Sequence, residues 1–550
     1  WRERGGGGQR WVALCKGGRS SPYYADIHLV VNWENDGEEI RNFVDPDTGR
    51  TYSRPQNTDF YFRPGLTWPL RAARFAAYPL PAGSIFSVRG YAILAPTCEE
   101  LEFLTGLGNS STFDFIFKVM LGRFSFPEFI IGILQQLPVP DMNSSDNAVI
   151  ILRDLTHTAI RLRSSSASEI EINHFFNGPM LSNGLKESLS TSFEIHAQSL
   201  AQIDDQLAEL QEKIDNIAAE FYALHEEDRI ALERQSNQTS EDEAIFDDED
   251  DDRNISNSVD AQSLIHHLLS YALGCVFGRW DVRYATGERE APVLPDPFAP
   301  LPVCSPGMHT GADSLPLKET PAGYPLEIDW DGVLVDDPDH EGDVIHRLRG
   351  VFELLFGERA EAIEREACEI LGEQDLRSYF RKSSNASFWM QHVRQYSQSR
   401  RKAPIYWLLQ SSKKNYALWF YYHRLDKDFL YKALIKTVEH KLRLEDNRLE
   451  QLRAQREAAG TSGREAKQME KQGAQEEALL SELRDFEAKL RRAAELNLEP
   501  DLNDGVILNI APLWELVPWK EAEKYWKALI EGKYDWSAIG QQLREKRLVE

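Results

Sequence analysis

The spacing of apolar residues changes along the chain and predicts a mixed α and β fold. Residues 1 to about 97 contain short β-type runs, such as Ile27–Trp33 and Ser84–Ala95, which are separated by glycine, proline and aspartate turn signals. From Cys98 to Pro140 the apolar positions recur every three or four residues, which indicates helices. The pattern therefore predicts an irregular β-rich module that ends near Asp141.

Long amphipathic helices are predicted beyond this module. Apolar residues keep a three-four rhythm from Leu185 to Leu224, which fits either an internal helical strut or a coiled-coil seam. Two charged helices, at about Leu434–Ala458 and Arg464–Leu496, flank Gly460-Thr461-Ser462-Gly463, the expected tip of an antiparallel helical hairpin. The apolar faces of these helices suit packing within an internal hairpin and packing between two copies of the chain equally, so the sequence leaves the oligomeric state open.

Shifts in composition divide the chain into four predicted segments. The β-rich module occupies residues 1–141, and a helical region occupies 142–290 with an acidic linker at 240–254. A proline-rich connector covers 291–335, and a mainly helical C-terminal domain covers 336–550. The predicted fold is thus an N-terminal β-rich module followed by a mainly α-helical region with long hairpins.

The charge of the chain restricts where it can bind nucleic acid. The formal net charge is −26 at pH 7, and an evenly spread charge of that sign would repel phosphates. Two stretches of the sequence are less acidic than the chain as a whole. Residues 1–141 carry 14 Lys and Arg against 15 Asp and Glu, and residues 381–464 carry 18 against 7, a net charge of +11. Any DNA-binding surface is expected in these two stretches.

Other features narrow the class of protein. The five cysteines lie far apart without a Cys-x-x-Cys pair, so neither a zinc site nor a disulfide framework is indicated. The sequence shows no apolar run of membrane-helix length and no signal peptide, so a cytoplasmic location is expected. It also shows no Asn-Pro-Pro-Tyr/Phe, glycine-rich phosphate loop or hydrolase motif, and no catalytic, cofactor-binding or metal residue is assigned.

Two N-terminal segments combine cations, aromatic rings and glycines in a way that suits DNA. Glycine allows close approach of the backbone to a phosphate, arginine can fork onto a guanine edge, and an aromatic ring can stack on a base. The alternative is that the aromatic side chains are core and the arginines pair with local carboxylates. The first segment offers Lys16, Arg19, Tyr23 and Tyr24, and the second offers Arg63, Thr67, Trp68, Arg71, Arg74 and Arg89.

A third candidate lies in the C-terminal basic stretch. Arg400, Arg401 and Lys402 precede a Pro-Ile-Tyr-Trp run and suit phosphate contact, which fixes register without reading sequence. A solvated basic turn is the alternative. Two Glu-x-Lys triplets at 439–441 and 487–489 have the spacing of metal-dependent nucleases, but such triplets arise by chance in charged helices.

The chain resembles one part of the BREX-type PglX and related type IIG-like adenine-specific DNA methyltransferases. That part is C-terminal and contains the target-recognition domain and a helical region. The resemblance spans nearly the full chain. It rests on Lys16-Gly17-Gly18 with Tyr23-Tyr24, Val31–Gly37, Arg63–Pro69, Pro81-Ala82-Gly83, Pro138-Val139-Pro140, Phe277–Asp281, Ser399–Trp407, Tyr421–Arg424 and Asp504–Leu513.

The resemblance implies a division of labour. In that family an upstream Rossmann-like domain binds S-adenosylmethionine and carries the Asn-Pro-Pro-Tyr/Phe motif, and this sequence has neither. Residues 1–141 are then similar to the target-recognition domain, and residues 142–550 to the helical region that clamps DNA or docks partners. The expected partners are double-stranded DNA, a methyltransferase catalytic domain upstream or in trans, and other defence-system subunits, without a membrane. The first residue, Trp1, agrees with an upstream portion.

Three rival functions remain open from the sequence. One is a free-standing specificity or adaptor subunit that recruits a separate methylase. Another is a protein-interaction scaffold whose long helices dock other defence proteins. The third is a nuclease with an unrecognised site.

Overall fold

The computed structural model describes residues 10–18, 20–45, 47–124, 127–142, 146–179, 188–225, 227–230, 232, 260–290, 292–397, 402–459 and 464–549. The fold is mixed, with short N-terminal strands and a largely helical C-terminal region, as the sequence predicted. The described residues group into two compact units. Unit 1 draws on Trp1–Gly184, Thr191–Asp248 and Arg283–Leu317, and unit 2 on Leu185–Ser190, Glu249–Val282 and Lys318–Glu550. These boundaries differ from the four segments drawn from composition.

Two small sheets form the β-rich part of unit 1. The strands in chain order are β1 (Trp11–Cys15), β2 (Val30–Asn32), β3 (Gly65–Thr67), β4 (Tyr78–Leu80), β5 (Ser84–Phe86) and β6 (Ala92–Ile93). In the first sheet β1 lies between β2, which is antiparallel to it, and β5, which is parallel to it. In the second sheet β3 lies between β4 and β6, both antiparallel to it.

Helices cover these sheets, and polar side chains cap their first turns. Thr97 and Ser110 accept hydrogen bonds from backbone N–H groups three residues ahead, at 3.2 Å each, as helix N-caps do. The helices are α1 (Glu34–Arg41), α2 (Cys98–Gly108), α3 (Ser111–Leu121), α4 (Ile131–Leu134), α5 (Asn147–Ala167) and α6 (Leu189–Phe221), and a short 3₁₀ turn lies at Thr58–Phe60.

The core of unit 1 extends past the expected end of the N-terminal module. Buried residues of α5 and α6, such as Leu152 and Ile214, belong to the same apolar cluster as Trp68 and Phe103. A Cβ on Gly106 of α2 would lie 2.2 Å from Thr156 Oγ1 of α5, so glycine permits the close approach of these two helices. The apolar face of α6 therefore packs in the core of unit 1, as expected for an internal strut.

Unit 2 is built on one antiparallel sheet with the order β7 (Val333–Val335), β9 (Ala417–Tyr421) and β8 (Tyr406–Gln410). From Ala261 onward the helices are α7 (Ala261–Val276), α8 (Val282–Thr286), α9 (Val344–Phe356), α10 (Ala360–Leu371), α11 (Leu376–Arg381), α12 (Phe388–Tyr396), α13 (Phe429–Ala433), α14 (Glu439–Ala459), α15 (Arg464–Glu495), α16 (Val506–Ile510), α17 (Lys520–Ile530) and α18 (Ala538–Glu545). Short 3₁₀ turns lie at Gly357–Arg359, Tyr422–Arg424 and Ala511–Leu513, and a π-helical turn at Leu434–Val438.

The predicted helical hairpin is present as α14 and α15. Ion pairs join Arg453 to Glu477 at 2.7 Å and Asp446 to Arg484 at 2.9 Å, so the contacts run in opposite directions along the two helices. The glycine-serine tip at 460–463 lies outside the described residues. From α15, Glu482 reaches the β8–β9 turn and accepts hydrogen bonds from Ser411 Oγ at 2.5 Å and Asn415 Nδ2 at 2.7 Å. This carboxylate ties the hairpin of helices to the sheet.

No helix among the described residues is both long and apolar enough to cross a bilayer.

Candidate nucleic-acid interface

Four of the predicted contact residues are buried in unit 1. Tyr23, Tyr24, Thr67 and Trp68 are 0–7% exposed. Tyr23 Oη donates to Gln211 Oε1 at 2.6 Å, and Trp68 Nε1 donates to the Phe129 carbonyl at 2.8 Å. These side chains pack in the core of unit 1 and their polar atoms have protein partners, which favours the alternative that the aromatic residues are core.

The arginines of the second segment differ from one another. Arg71 is exposed but pairs with Glu128, its Nε lying 2.8 Å from Oε1. Arg74 is half-buried. Arg63 is exposed, and its guanidinium carbon lies 5.9 Å from the centroid of the Phe60 ring. The alternative of local pairing thus holds for Arg71, while Arg63 forms no ion pair with a described residue.

The parallel pairing of β1 and β5 brings Lys16 and Arg89 to one edge of the first sheet. The register runs from Ala13 opposite Ser84 to Cys15 opposite Phe86, so both strands end at the same edge. Lys16 follows β1 directly, and Arg89 lies in the loop after β5. Both side chains are exposed, and neither forms an ion pair within the described part of the chain.

Two glycines allow these loops to touch. Gly17 has a φ of +87°, and a Cβ there would lie 3.1 Å from the Arg89 carbonyl oxygen. A Cβ on Gly90 would lie only 2.2 Å from the Cys15 carbonyl oxygen. The Ser87 N–H also donates to that Cys15 oxygen at 3.0 Å. The chain therefore needs glycine at both positions to hold the two cationic loops together.

Two further exposed cations, Arg50 and Arg54, were not selected from the sequence. They lie beside a small hairpin in which Val44 bridges Thr51 and the exposed Phe43 and Tyr52 rings lie 4.9 Å apart. Tyr52 Oη donates to Asp45 Oδ2 at 2.6 Å, and this bond with those from Thr48 lowers the pKa of Asp45 to about 2. The turn signal from Asp45 onward was visible in the sequence, but the exposure of the flanking arginines was not.

A cleft of about 620 Å³ opens in unit 1 next to this hairpin. Its floor is the apolar cluster that contains Trp33, Tyr61 and Ile85. The lining also includes polar side chains, namely Ser53, Arg54, Gln56, Asn57, Ser87 and Gln135.

The C-terminal basic stretch is partly neutralised within unit 2. Lys441 Nζ lies 2.7 Å from Asp337 and 2.9 Å from Glu445, and Arg381 pairs with the buried Asp336. Carboxylates also pair with Lys382, Lys432, Lys436, Arg448, Arg453 and Arg456.

The third predicted site falls mostly beyond what the structure describes. Arg400, Arg401 and also Arg19 lie outside the described residues, and Lys402 is half-buried.

The described residues do not fit an S-adenosylmethionine site of the Rossmann-like kind. Within the described part of the chain the strands form three-stranded sheets, and β1–β5 is the parallel pair. A Rossmann-like site uses an open parallel sheet with a glycine-rich turn into a helix. The same residues contain no cluster of three or more His, Cys, Asp or Glu side chains arranged to hold a metal ion.

Comparison with known proteins identifies two relatives. The chain is 24% identical over 530 residues to the adenine-specific methyltransferase BrxX of Escherichia coli O9:H4 (strain HS), which covers 93% of this chain and 40% of BrxX. It is 24% identical over 524 residues to the adenine-specific methyltransferase PglX of Lacticaseibacillus casei (strain Zhang), which covers 91% of this chain and 38% of PglX. No protein-family model matches the sequence.

These matches confirm the resemblance that the motifs carried. The chain spans about 40% of the length of the curated relatives it matches. Over nearly its whole length, this protein is similar to part of the PglX-type adenine-specific methyltransferases.

Proposed function

We propose that this chain is the sequence-specific DNA-recognition portion of an S-adenosylmethionine-dependent adenine-N6 DNA methyltransferase in a bacterial restriction-modification or BREX-like phage-defence system. The observation that carries the proposal is the pair of exposed cations Lys16 and Arg89 at one edge of the first sheet, in a relative of adenine-specific methyltransferases. Neither cation forms an ion pair with a described residue. The catalytic domain lies outside these 550 residues, upstream or on a second chain.

The cations of unit 1 have two roles in this proposal. Lys16 and Arg89 neutralise phosphates, which releases counterions and makes affinity fall steeply with salt. Arg63, which is exposed at the other end of β5, is available to read a base edge, since an arginine fork on guanine discriminates by about 1–3 kcal/mol. When bound to the catalytic domain, S-adenosylmethionine supplies the methyl group that is transferred to an adenine extruded from the duplex.

A second candidate function is a scaffold or adaptor that recruits a separate methylase. The neutralised basic stretch of unit 2 favours it, since cations already paired with carboxylates gain little from phosphates. In this alternative unit 2 docks other subunits of the defence system.

The test is selection of bound sequences from a random duplex pool by the whole 550-residue chain, at two salt concentrations and without S-adenosylmethionine. We expect salt-sensitive binding and enrichment of one short adenine-containing motif. Salt-sensitive binding without enrichment would assign base reading to the catalytic domain, and absence of binding would favour the scaffold.

A matched pair of variants locates the interface. Lys16→Gln with Arg89→Gln is expected to weaken duplex binding about tenfold or more and to reduce the slope of log affinity against log salt by about 2. The control, Arg365→Gln with Lys524→Gln, removes the same charge from two exposed positions of unit 2, where the side chains are 68% and 74% exposed. Equal losses in both double variants would contradict an interface at Lys16 and Arg89.

A further inference from the structure

The cleft of unit 1 is built to present aromatic rings. Trp33 and Tyr61 meet edge to face with centroids 5.2 Å apart, and Tyr61 meets Phe86 in the same way at 4.9 Å. Trp33 and Tyr61 are buried, whereas Phe86 is half-buried and Phe60, which also lines the cleft, is 47% exposed. A flat apolar ligand can therefore contact a buried aromatic floor and a more exposed aromatic rim.

A left-handed turn fixes the tryptophan of this floor. Asn35, Asp36 and Gly37 have φ values of 50°, 61° and 73°, which folds the chain back on itself. A Cβ on Gly37 would lie 2.8 Å from the Trp33 ring, so only glycine lets the backbone lie against the indole. The segment from Asn32 to Gly37 thus serves to hold the indole in place.

The floor also holds a hydrogen-bond donor that has no acceptor. Trp33 is 6% exposed, and its buried Nε1 has no hydrogen-bond partner in the described part of the chain. Buried donors without partners are rare in folded proteins, and each needs an explanation. Trp33 also lines the cleft, so a ligand there would lie against the ring that carries this donor.

The rim of the cleft adds charge and amide groups. Arg54 is exposed and forms no ion pair with a described residue, and Gln56 and Asn57 follow it along the same rim. A guanidinium binds phosphate through paired hydrogen bonds, and side-chain amides match the edges of bases. The combination therefore selects a ligand with a flat heterocycle at one end and an anion at the other.

We propose that this cleft binds one nucleotide, with its base against the aromatic floor and its phosphate at Arg54. The volume of about 620 Å³ lies in the range of about 300–1,000 Å³ that is usual for small-ligand sites. The nucleotide comes either from solution or from a bound duplex in which one nucleotide has left the stack. The duplex source rests on the proposed function, and the free nucleotide does not.

The first arm of the test uses free nucleotides. The whole chain is labelled with 5-fluorotryptophan, and the fluorine signal of Trp33 is assigned by its loss in Trp33→Phe. We expect dAMP, dCMP, dGMP or TMP to shift this signal saturably, and Arg54→Gln to weaken the binding about tenfold, as the loss of a charge-assisted phosphate contact does. The exposed control Arg365→Gln leaves the affinity unchanged.

The second arm compares a fully paired duplex with one that carries a single extrahelical nucleotide. The wild-type chain is expected to bind the second duplex about fivefold or more tightly than the fully paired one. This is the lower end of the effect expected when one base stacks on an aromatic side chain. Arg54→Gln and Tyr61→Leu are expected to lose this preference and to retain binding of the paired duplex. Arg54→Gln keeps the test valid if Tyr61→Leu fails to fold, because Arg54 is exposed.

The outcomes separate the two proposals. Binding of mononucleotides without any duplex binding supports the cleft, assigns it to free nucleotides and overturns the proposed function. Binding of paired duplex with no shift of the Trp33 signal by either nucleotide source overturns the cleft and leaves the proposed function standing. A shift of that signal by an apolar peptide alone also overturns the cleft proposal.

Discussion

Two stretches of this protein use their cations differently once they are folded. Residues 1–141 are nearly neutral in sequence, yet their folded loops expose Lys16, Arg50, Arg54, Arg63 and Arg89 without an ion pair to any described residue. Residues 381–464 have a net charge of +11, yet many of their cations pair with carboxylates of unit 2. The comparison shows that charge counted along a sequence does not give the charge of the surface it forms.

The reason lies in where the carboxylates come from. The acidic loop after β7 supplies Asp336, Asp337 and Asp343, all at most 3% exposed, to cations that lie 34 to 104 residues further along the chain. Buried carboxylates require compensating cations, so part of the basic stretch is committed to the interior of unit 2. In unit 1, by contrast, Lys16, Arg63 and Arg89 form no ion pair with any described carboxylate.

Breaking this compensation should give the largest effect. Arg377→Met removes the cation that contacts both Asp336 and Asp343, with Nη2 2.7 Å from Asp343 Oδ2. Asp336 keeps Arg381, but Asp343 loses its cation, and leaving a buried charge without a partner is expected to destabilise unit 2 by about 3–5 kcal/mol. Chemical denaturation of the whole chain, followed through the tryptophans buried in unit 2, measures the loss.

The control for this variant is Lys427→Met, at an exposed lysine that forms no ion pair among the described residues. We expect it to change the unfolding free energy by less than about 0.5 kcal/mol. If Arg377→Met were equally mild, the buried carboxylates Asp336 and Asp343 would not depend on this cation.

Acid should affect unit 2 next most strongly, through two buried histidines. Burial lowers the pKa of His266 to about 3, and burial also lowers the pKa of His392 well below its usual value. His392 Nε2 accepts hydrogen bonds from the N–H groups of Ile405 and Tyr406 at 3.1 and 3.0 Å, which requires an unprotonated nitrogen. Protonation would break both bonds to β8.

The sign of the pH effect follows from these shifts. Because the folded-state pKa values lie below the unfolded value of 6.5, the unfolded chain binds more protons between about pH 3 and 6.5. Unit 2 should therefore lose about 1 kcal/mol per pH unit for each histidine as the pH falls through this range. Unfolding midpoints at pH 7.5 and 5.0 test this, and His392→Gln should flatten the dependence.

Releasing paired arginines in unit 2 should have the smallest effect. Glu470→Gln with Glu477→Gln releases Arg456 and Arg453, whose side chains are 56% and 61% exposed. We expect affinity for random duplex at low salt to rise about two- to fivefold, with stability changed by less than about 1 kcal/mol. An unchanged affinity would mean that these arginines face away from any bound DNA.

The sequence predicted the periodic elements well and the surface poorly. The rhythm of Leu434–Leu496 identified the α14–α15 hairpin, because helix periodicity is a local property. The sequence could not distinguish a buried Trp68 from an exposed one, since that depends on helices more than 30 residues away that close over it. The sequence identified Lys16 and Arg89 as separate candidates. Their position at the same sheet edge depends on the parallel β1–β5 register, which no local pattern encodes.

The same register has a consequence for how such a protein can diversify. The chain leaves the first sheet after β2 and rejoins it at β5. The segment between these two strands, with the Phe43–Tyr52 hairpin and part of the cleft lining, therefore forms one excursion between fixed ends. Insertions or substitutions in the tip of that hairpin leave the strand pairing intact. New binding preferences can therefore arise in the excursion while the two cations keep their positions.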